Sequence, residues 1–133
     1  MKYMLDTNVC IHIIKRKPAS VIRRFTEHDA GNFCISSITY AELMHGVEKS
    51  ASRNQNLFAL MMLLSPITIL PFDGEAAEVY GKVRAALERK GLQIGPMDTL
   101  IAAHALSKGL TLITNNTREF VRVDGLAVED WVS

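Results

Sequence analysis

The sequence predicts an α/β fold in which a central parallel sheet of four to five strands is flanked by helices. Short apolar segments of the kind that form buried strands alternate along the chain with longer segments that have helical periodicity. Turn and cap residues separate these segments. In a sheet of this kind the carboxyl ends of the strands lie along one edge, and ligands bind there.

The strands are predicted from apolar or β-branched runs that are bounded by polar turns. Residues 3–5 form the first strand, and residues 33–36 form the second after a turn at residues 29–32. The third strand covers residues 67–70 and the fourth covers residues 110–114. A short fifth strand near residues 126–128 would complete the sheet.

The helices are predicted from capping residues and from apolar side chains at helical spacing. Asp6, Thr7 and Asn8 supply N-cap chemistry for a helix that begins near Val9 and ends before Pro18. Further helices are predicted over residues 19–28, 37–50, 54–64, 74–90 and 97–108, with Asp73 as the cap of the fourth of these and glycines at 91 and 109 as stops.

Composition is that of one folded domain. The 133 residues are 48% hydrophobic and 22% charged, which excludes a disordered chain. The longest strongly apolar stretch, residues 57–64, is too short to span a bilayer, and Asp6 interrupts the N-terminus before a signal peptide could form. We therefore expect a cytoplasmic protein that does not enter a membrane. Cys10 and Cys34 lack a metal-binding or disulfide pattern and are expected to be buried free thiols.

The formal net charge of +1 does not indicate general nucleic-acid binding, so any RNA site must be local. Two basic clusters, at residues 15–17 and 23–24, are interpreted as solvated helix faces. The histidines at positions 12, 28, 45 and 104 show no zinc-binding spacing, and His104 is expected to pack in the core. No phosphate-binding loop or serine-hydrolase elbow occurs in the sequence.

Asp6 and Asp98 are candidate site residues with competing structural explanations. Asp6 directly follows the first strand, where a carboxylate suits either a metal site or the N-cap of the next helix. Asp98 stands in a first helical turn and gains there from the helix dipole. It also shares a helical face with Ile101, Ala102 and Ala105, so its carboxylate points inward and needs a cation or hydrogen-bond donors.

Glu42 is the third candidate. Thr39 and Glu42 fit the capping-box pattern, in which Glu42 would bond back to the Thr39 amide. The same helix start follows the second strand and lies at the sheet edge of Asp6, so both roles remain open. Three acids at one edge would suit a hard cation such as magnesium, or alternatively manganese, which activates water for phosphodiester hydrolysis.

Four segments resemble, in order, the signature of the VapC toxins, a PIN-domain ribonuclease family of type II toxin-antitoxin systems. They read MLDTN at positions 4–8, SSITYAEL at 36–43, GPMD at 95–98 followed by IAAHA at 101–105, and TNNTREF at 114–120. The resemblance implies a PIN-like fold and a single PIN domain over residues 1–133. It also implies that Asp6, Glu42 and Asp98 hold a divalent metal in a magnesium-dependent endoribonuclease.

The resemblance implies partners as well. These are an RNA substrate, with tRNA and in particular the anticodon loop of initiator tRNA as the expected target; a cognate VapB antitoxin; and a second copy of the chain in a homodimer. Operator DNA is expected to be bound only through the antitoxin complex. Cleavage of the RNA would inhibit translation.

One position departs from the family pattern. Many PIN domains carry a fourth acid where this sequence has Asn116. An amide adds no charge, so a second metal ion is less well supported, although Asn116 stays a candidate catalytic residue and Glu119 is an alternative source of the fourth acid. Thr114 and Asn115 are candidates for bonding metal-bound water or the scissile phosphate.

Two other functions compete with this prediction. Phosphoryl transfer through Asp6 would normally call for a second acid two residues later, where the sequence has Asn8. A PIN-like module that binds RNA or protein without cutting is the other alternative, and the three intact acids argue against it.

Overall fold

The computed structural model describes residues 1–132. Its elements in chain order are β1 (Tyr3–Leu5), α1 (Thr7–Lys15), α2 (Ala19–Thr26), a 3-10 turn (Ala30–Asn32), β2 (Phe33–Ser36), α3 (Ser37–Lys49), α4 (Arg53–Leu64), β3 (Thr68–Leu70), α5 (Gly74–Lys90), α6 (Pro96–Ser107), β4 (Thr111–Ile113), α7 (Thr117–Phe120) and β5 (Val128–Glu129). Helices separate all successive strands, as the alternating sequence pattern predicts.

The strands form one parallel sheet of five, in the order β3-β2-β1-β4-β5. β1 lies at the centre, where Met4 stands opposite Cys34 on one side and Leu112 on the other. The three residues of β1 and the four of β2 are all buried, which explains why both read as largely apolar runs. The predicted α/β class and parallel sheet are confirmed.

Two groups of buried side chains cover the sheet, because alternate residues of each strand point to opposite faces. Tyr3, Leu5, Phe33 and Ile35 contribute to one group, in which Trp131 packs edge-on against the Tyr3 and Phe33 rings. The intervening residues Met4 and Cys34 contribute to the other, with α5, α6 and Phe120. Cys10 and Cys34 are buried free thiols, as predicted. No helix within residues 1–132 has the length and apolarity needed to cross a membrane.

The main errors in the predicted boundaries lie at the ends of elements. The last strand is Val128–Glu129 rather than residues 126–128, because β5 pairs with Leu112 and Ile113 at the sheet edge. α1 begins at Thr7, two residues earlier than predicted, because Asp6 accepts a hydrogen bond from the Thr7 amide and ends the strand there. The short helix α7 was not predicted; its four residues are too few to show periodicity.

Candidate active site

The candidate acids lie at or near the starts of three helices. Asp6 joins β1 to α1, Glu42 lies in α3 directly after β2, and Asp98 lies in the first turn of α6. Since β1 and β2 are parallel neighbours, the first two acids share the carboxyl edge of the sheet. Asp98 lies near both, since the charges of Asp6 and Glu42 contribute to the rise in its pKa.

Asp6 is held by two hydrogen bonds that use both carboxylate oxygens. Oδ1 accepts the Thr7 amide hydrogen at 2.7 Å, and Oδ2 accepts the hydroxyl hydrogen of Thr114 at 2.8 Å. The side chain is only 4% exposed, and this burial raises its pKa against the opposing effect of both bonds, with a further rise from the charge of Glu42. Asp6 therefore does cap α1, and the cap fixes a buried carboxylate at the sheet edge.

Glu42 does not form the capping box that the sequence pattern allowed. The N-cap of α3 is Ser36, whose Oγ accepts the Ile38 amide hydrogen at 3.1 Å. Thr39 consequently lies inside the helix and is buried, and Glu42 lies beyond the first turn. Glu42 Oε1 instead accepts the hydroxyl hydrogen of Thr7 at 2.7 Å, so one residue contacts two of the three acids.

Asp98 has a pKa raised to about 6. Burial is the largest cause, and the negative charges of Asp6, Glu42 and Glu119 follow in that order. Ile101, Ala102 and Ala105 of the same helical face are completely buried, which confirms that this face packs inward. Asp98 therefore combines partial burial with like charge on several sides.

Asn116, the residue at the fourth-acid position, takes part in the hydrogen bonds of the site through its main-chain amide. The Asn116 amide donates to Thr114 Oγ at 3.0 Å, and Thr114 in turn donates to Asp6. Thr114, a candidate for bonding metal-bound water or the phosphate, donates its hydroxyl hydrogen to Asp6. The role of Thr7 was missed altogether, and its only sequence signal is a hydroxyl directly after a site acid. Glu119 acts on Asp98 through its charge.

The chemistry of these donors fits a hard divalent cation. All are oxygen donors, and no ion pair found within residues 1–132 involves Asp6, Glu42 or Asp98. The hydrogen bonds that Asp6 and Glu42 accept come from neutral hydroxyl and amide groups, which leave the negative charges unbalanced. The three carboxylates lie in the same region but are not grouped tightly enough to bind an ion in their present positions. No three His, Cys, Asp or Glu side chains in the described part of the chain form a group that could hold a metal.

The parallel five-stranded sheet and its acidic edge are those of a PIN domain, and residues 3–126 match the PIN domain family. The chain is 51% identical over 131 residues to the tRNA(fMet)-specific endonuclease VapC of Shigella flexneri and 47% identical to that of Salmonella typhimurium, with 98% of each chain covered. The chain belongs to the VapC toxins, the PIN-domain ribonuclease family of type II toxin-antitoxin systems.

Solved structures agree with this assignment. DNA-bound VapBC from Salmonella typhimurium matches with a TM-score of 0.93 at 46% identity, covering 98% of both chains. VapBC2 from Rickettsia felis, bound to a DNA fragment from its promoter, matches with a TM-score of 0.92 at 42% identity, covering 98% of this chain and 99% of that one.

Proposed function

We propose that this chain is a magnesium-dependent endoribonuclease in which Asp6, Glu42 and Asp98 hold the ion, with manganese as a substitute. The observation that carries the proposal is a set of carboxylates at one sheet edge in which the charge of Glu42 raises the pKa of Asp6 and the charges of both raise the pKa of Asp98. No ion pair within residues 1–132 involves any of the three. A bound cation would relieve this repulsion. When bound, it supplies an activated water and stabilises negative charge on the phosphate.

The protein groups hold the acids in place for this task. Thr114 and the Thr7 amide orient Asp6, and the Thr7 hydroxyl orients Glu42. These bonds are donated by neutral groups, so they fix the carboxylates without neutralising them. Asn116, which steadies Thr114, is proposed as an accessory residue of the site. We propose that residues 1–133 act as one PIN domain.

The proposed substrate is tRNA, and within it the anticodon loop of initiator tRNA. Support comes from the two VapC relatives named tRNA(fMet)-specific endonucleases, which match nearly the whole chain. Lys15 offers a local cation for the RNA backbone, because its side chain lines the same surface groove as Glu42. A single cationic contact of this kind is compatible with the low net charge of the protein.

The proposed partners are a VapB antitoxin and a second copy of the chain. Support for the antitoxin comes from three matching solved structures that are VapBC complexes, two of them bound to DNA. We propose that operator DNA is bound only through the antitoxin complex.

The test is cleavage of total bacterial RNA by purified, antitoxin-free protein with and without magnesium, followed by sequencing of new 5′ ends. We expect discrete cuts in one tRNA that require magnesium and that Asp6→Asn abolishes, while circular dichroism shows the variant folded. Asp124→Asn is the matched control, because the Asp124 carboxylate is paired with Lys90 on the surface. Cutting that persists in Asp6→Asn or in EDTA would refute the proposed chemistry. Absence of cutting by folded wild-type protein would favour the non-catalytic module.

A further inference from the structure

His104 is a completely buried histidine whose side chain connects two helices that carry acids of the site. It lies in α6, the helix of Asp98, and its Nδ1 is 2.7 Å from the hydroxyl oxygen of Ser36. Ser36 is the last residue of β2 and the N-cap of α3, the helix of Glu42. The contact therefore joins α6, which carries Asp98, to the start of α3, which carries Glu42.

The hydrogen bonds of Ser36 define what His104 does there. Ser36 Oγ already accepts the Ile38 amide hydrogen, which leaves its own hydroxyl hydrogen free for an acceptor. Burial, followed by the charge of Lys108, lowers the pKa of His104, so the imidazole is neutral and one of its nitrogens is an acceptor. Donation from Ser36 to Nδ1 satisfies the serine and places the imidazole proton on Nε2.

This arrangement leaves one polar atom without a partner. Nε2 of His104 is the only buried side-chain nitrogen or oxygen within residues 1–132 that makes no hydrogen bond. The Phe72 ring packs edge-to-face on the imidazole, with 5.3 Å between the ring centroids. The Phe72 amide donates to the hydroxyl of Ser37, the first residue of α3. An apolar residue of similar size would avoid the unpaired atom, so packing alone does not account for histidine at this position.

We propose that His104 is a positioning residue, which fixes the start of α3 through Ser36 and so sets where Glu42 stands relative to Asp98. The inference rests on the proposed function for its consequence, since the two acids matter together only if they share a cation. Its structural part, the control of the α3 start by His104, can be tested separately.

The test compares two variants. His104→Leu removes the acceptor, whereas His104→Asn keeps one, because the Oδ1 atom of asparagine is bonded to Cγ as the Nδ1 atom of histidine is. We expect the amide signals of residues 38–42 to shift in the NMR spectrum of His104→Leu and to return towards wild type in His104→Asn. We also expect the dissociation constant for Mn²⁺, measured by electron paramagnetic resonance, to rise about tenfold in His104→Leu and to recover in His104→Asn. His28→Leu is the matched control, because His28 packs on Trp131 in the other core group.

The outcomes separate the two proposals. Unshifted α3 amides in His104→Leu, or equal behaviour of the leucine and asparagine variants, would overturn the positioning role and leave a packing histidine. A rise in the Mn²⁺ dissociation constant of the same size in His28→Leu would overturn it as well, since general loss of packing would then explain the effect. Folded wild-type protein that binds no Mn²⁺ would overturn the proposed function, and the amide shifts would still decide whether His104 holds the α3 start.

Discussion

Removing the charge of Asp98 should make the metal-free protein more stable while it abolishes cleavage. The folded state holds Asp98 at a pKa of about 6, well above the ordinary value of 3.8 for this carboxyl. At neutral pH the folded protein therefore keeps an ionised carboxylate in surroundings that disfavour it. Asp98→Asn retains the size of the side chain and removes that charge, and we expect a gain in the free energy of unfolding.

The size of the gain follows from the pKa difference. Taken at full value, a rise from 3.8 to about 6 corresponds to about 3 kcal/mol. Asp98 is only partly buried, so screening by solvent reduces this to about 1 to 1.5 kcal/mol. For a domain of this size, such a gain would raise the melting temperature by about 4 to 6 °C.

The gain should depend on pH in a defined direction. Between pH 3.8 and about 6 the folded protein binds more protons at Asp98 than the unfolded chain does, so the stability from this group falls as pH rises. The advantage of Asp98→Asn is therefore complete at pH 7.5 and smaller at pH 4.5, where the carboxyl is partly protonated in both states. The lowered pKa of His104 works in the opposite direction, and comparing variant with wild type at each pH removes it.

The assay is urea unfolding of both proteins in EDTA at pH 7.5 and pH 4.5. Asp73→Asn is the control with the opposite sign, because hydrogen bonds from Lys108 and the Ala76 amide lower the pKa of Asp73. We expect that variant to lose stability at pH 7.5. An Asp98→Asn protein no more stable than wild type at pH 7.5 would refute the conclusion that the acids of the site repel one another.

Three further predictions concern the groups that hold the acids. Thr114→Val, which removes the hydroxyl donor to Asp6, should reduce cleavage about 10- to 100-fold in single-turnover assays, and unchanged rates would show that the bond has no functional role. Thr7→Val should raise the magnesium concentration needed for half-maximal cleavage, because Glu42 loses its donor; Thr26→Val on α2 is the control. Asn116→Asp should lower the Mn²⁺ dissociation constant in calorimetry, and weaker or equal binding would place this residue outside the site.

Most of the fold could be predicted because its elements are encoded locally. The central strands are buried on both faces and read as apolar runs, and residues such as Asp73 and Gly91 mark helix ends through short-range bonds and backbone conformation. β5 was misplaced because its position depends on pairing with β4, a contact between distant parts of the chain. The same limit applies to α7, where Asn116 precedes only a single turn.

The site was predictable as a set of acids but not as a network. The capping-box pattern at Thr39 and Glu42 was misleading because it assumed that α3 begins at Thr39, whereas Ser36 at the end of β2 begins the helix three residues earlier. The bonds from Thr7 to Glu42 and from Thr114 to Asp6 join residues far apart in sequence. Nothing in the spacing of a single chain records such pairs, so these contacts required the structure.

The choice of donors in this network explains why the acids stay available to a cation. A lysine or arginine paired with Asp6 would lower its pKa and also occupy the position that a metal ion needs. Thr114 and the Thr7 amide orient the same carboxylate while leaving its charge in place, and burial then raises the pKa instead. The acids therefore repel one another in the metal-free protein, and binding of a divalent ion would relieve that repulsion and add directly to the stability of the fold.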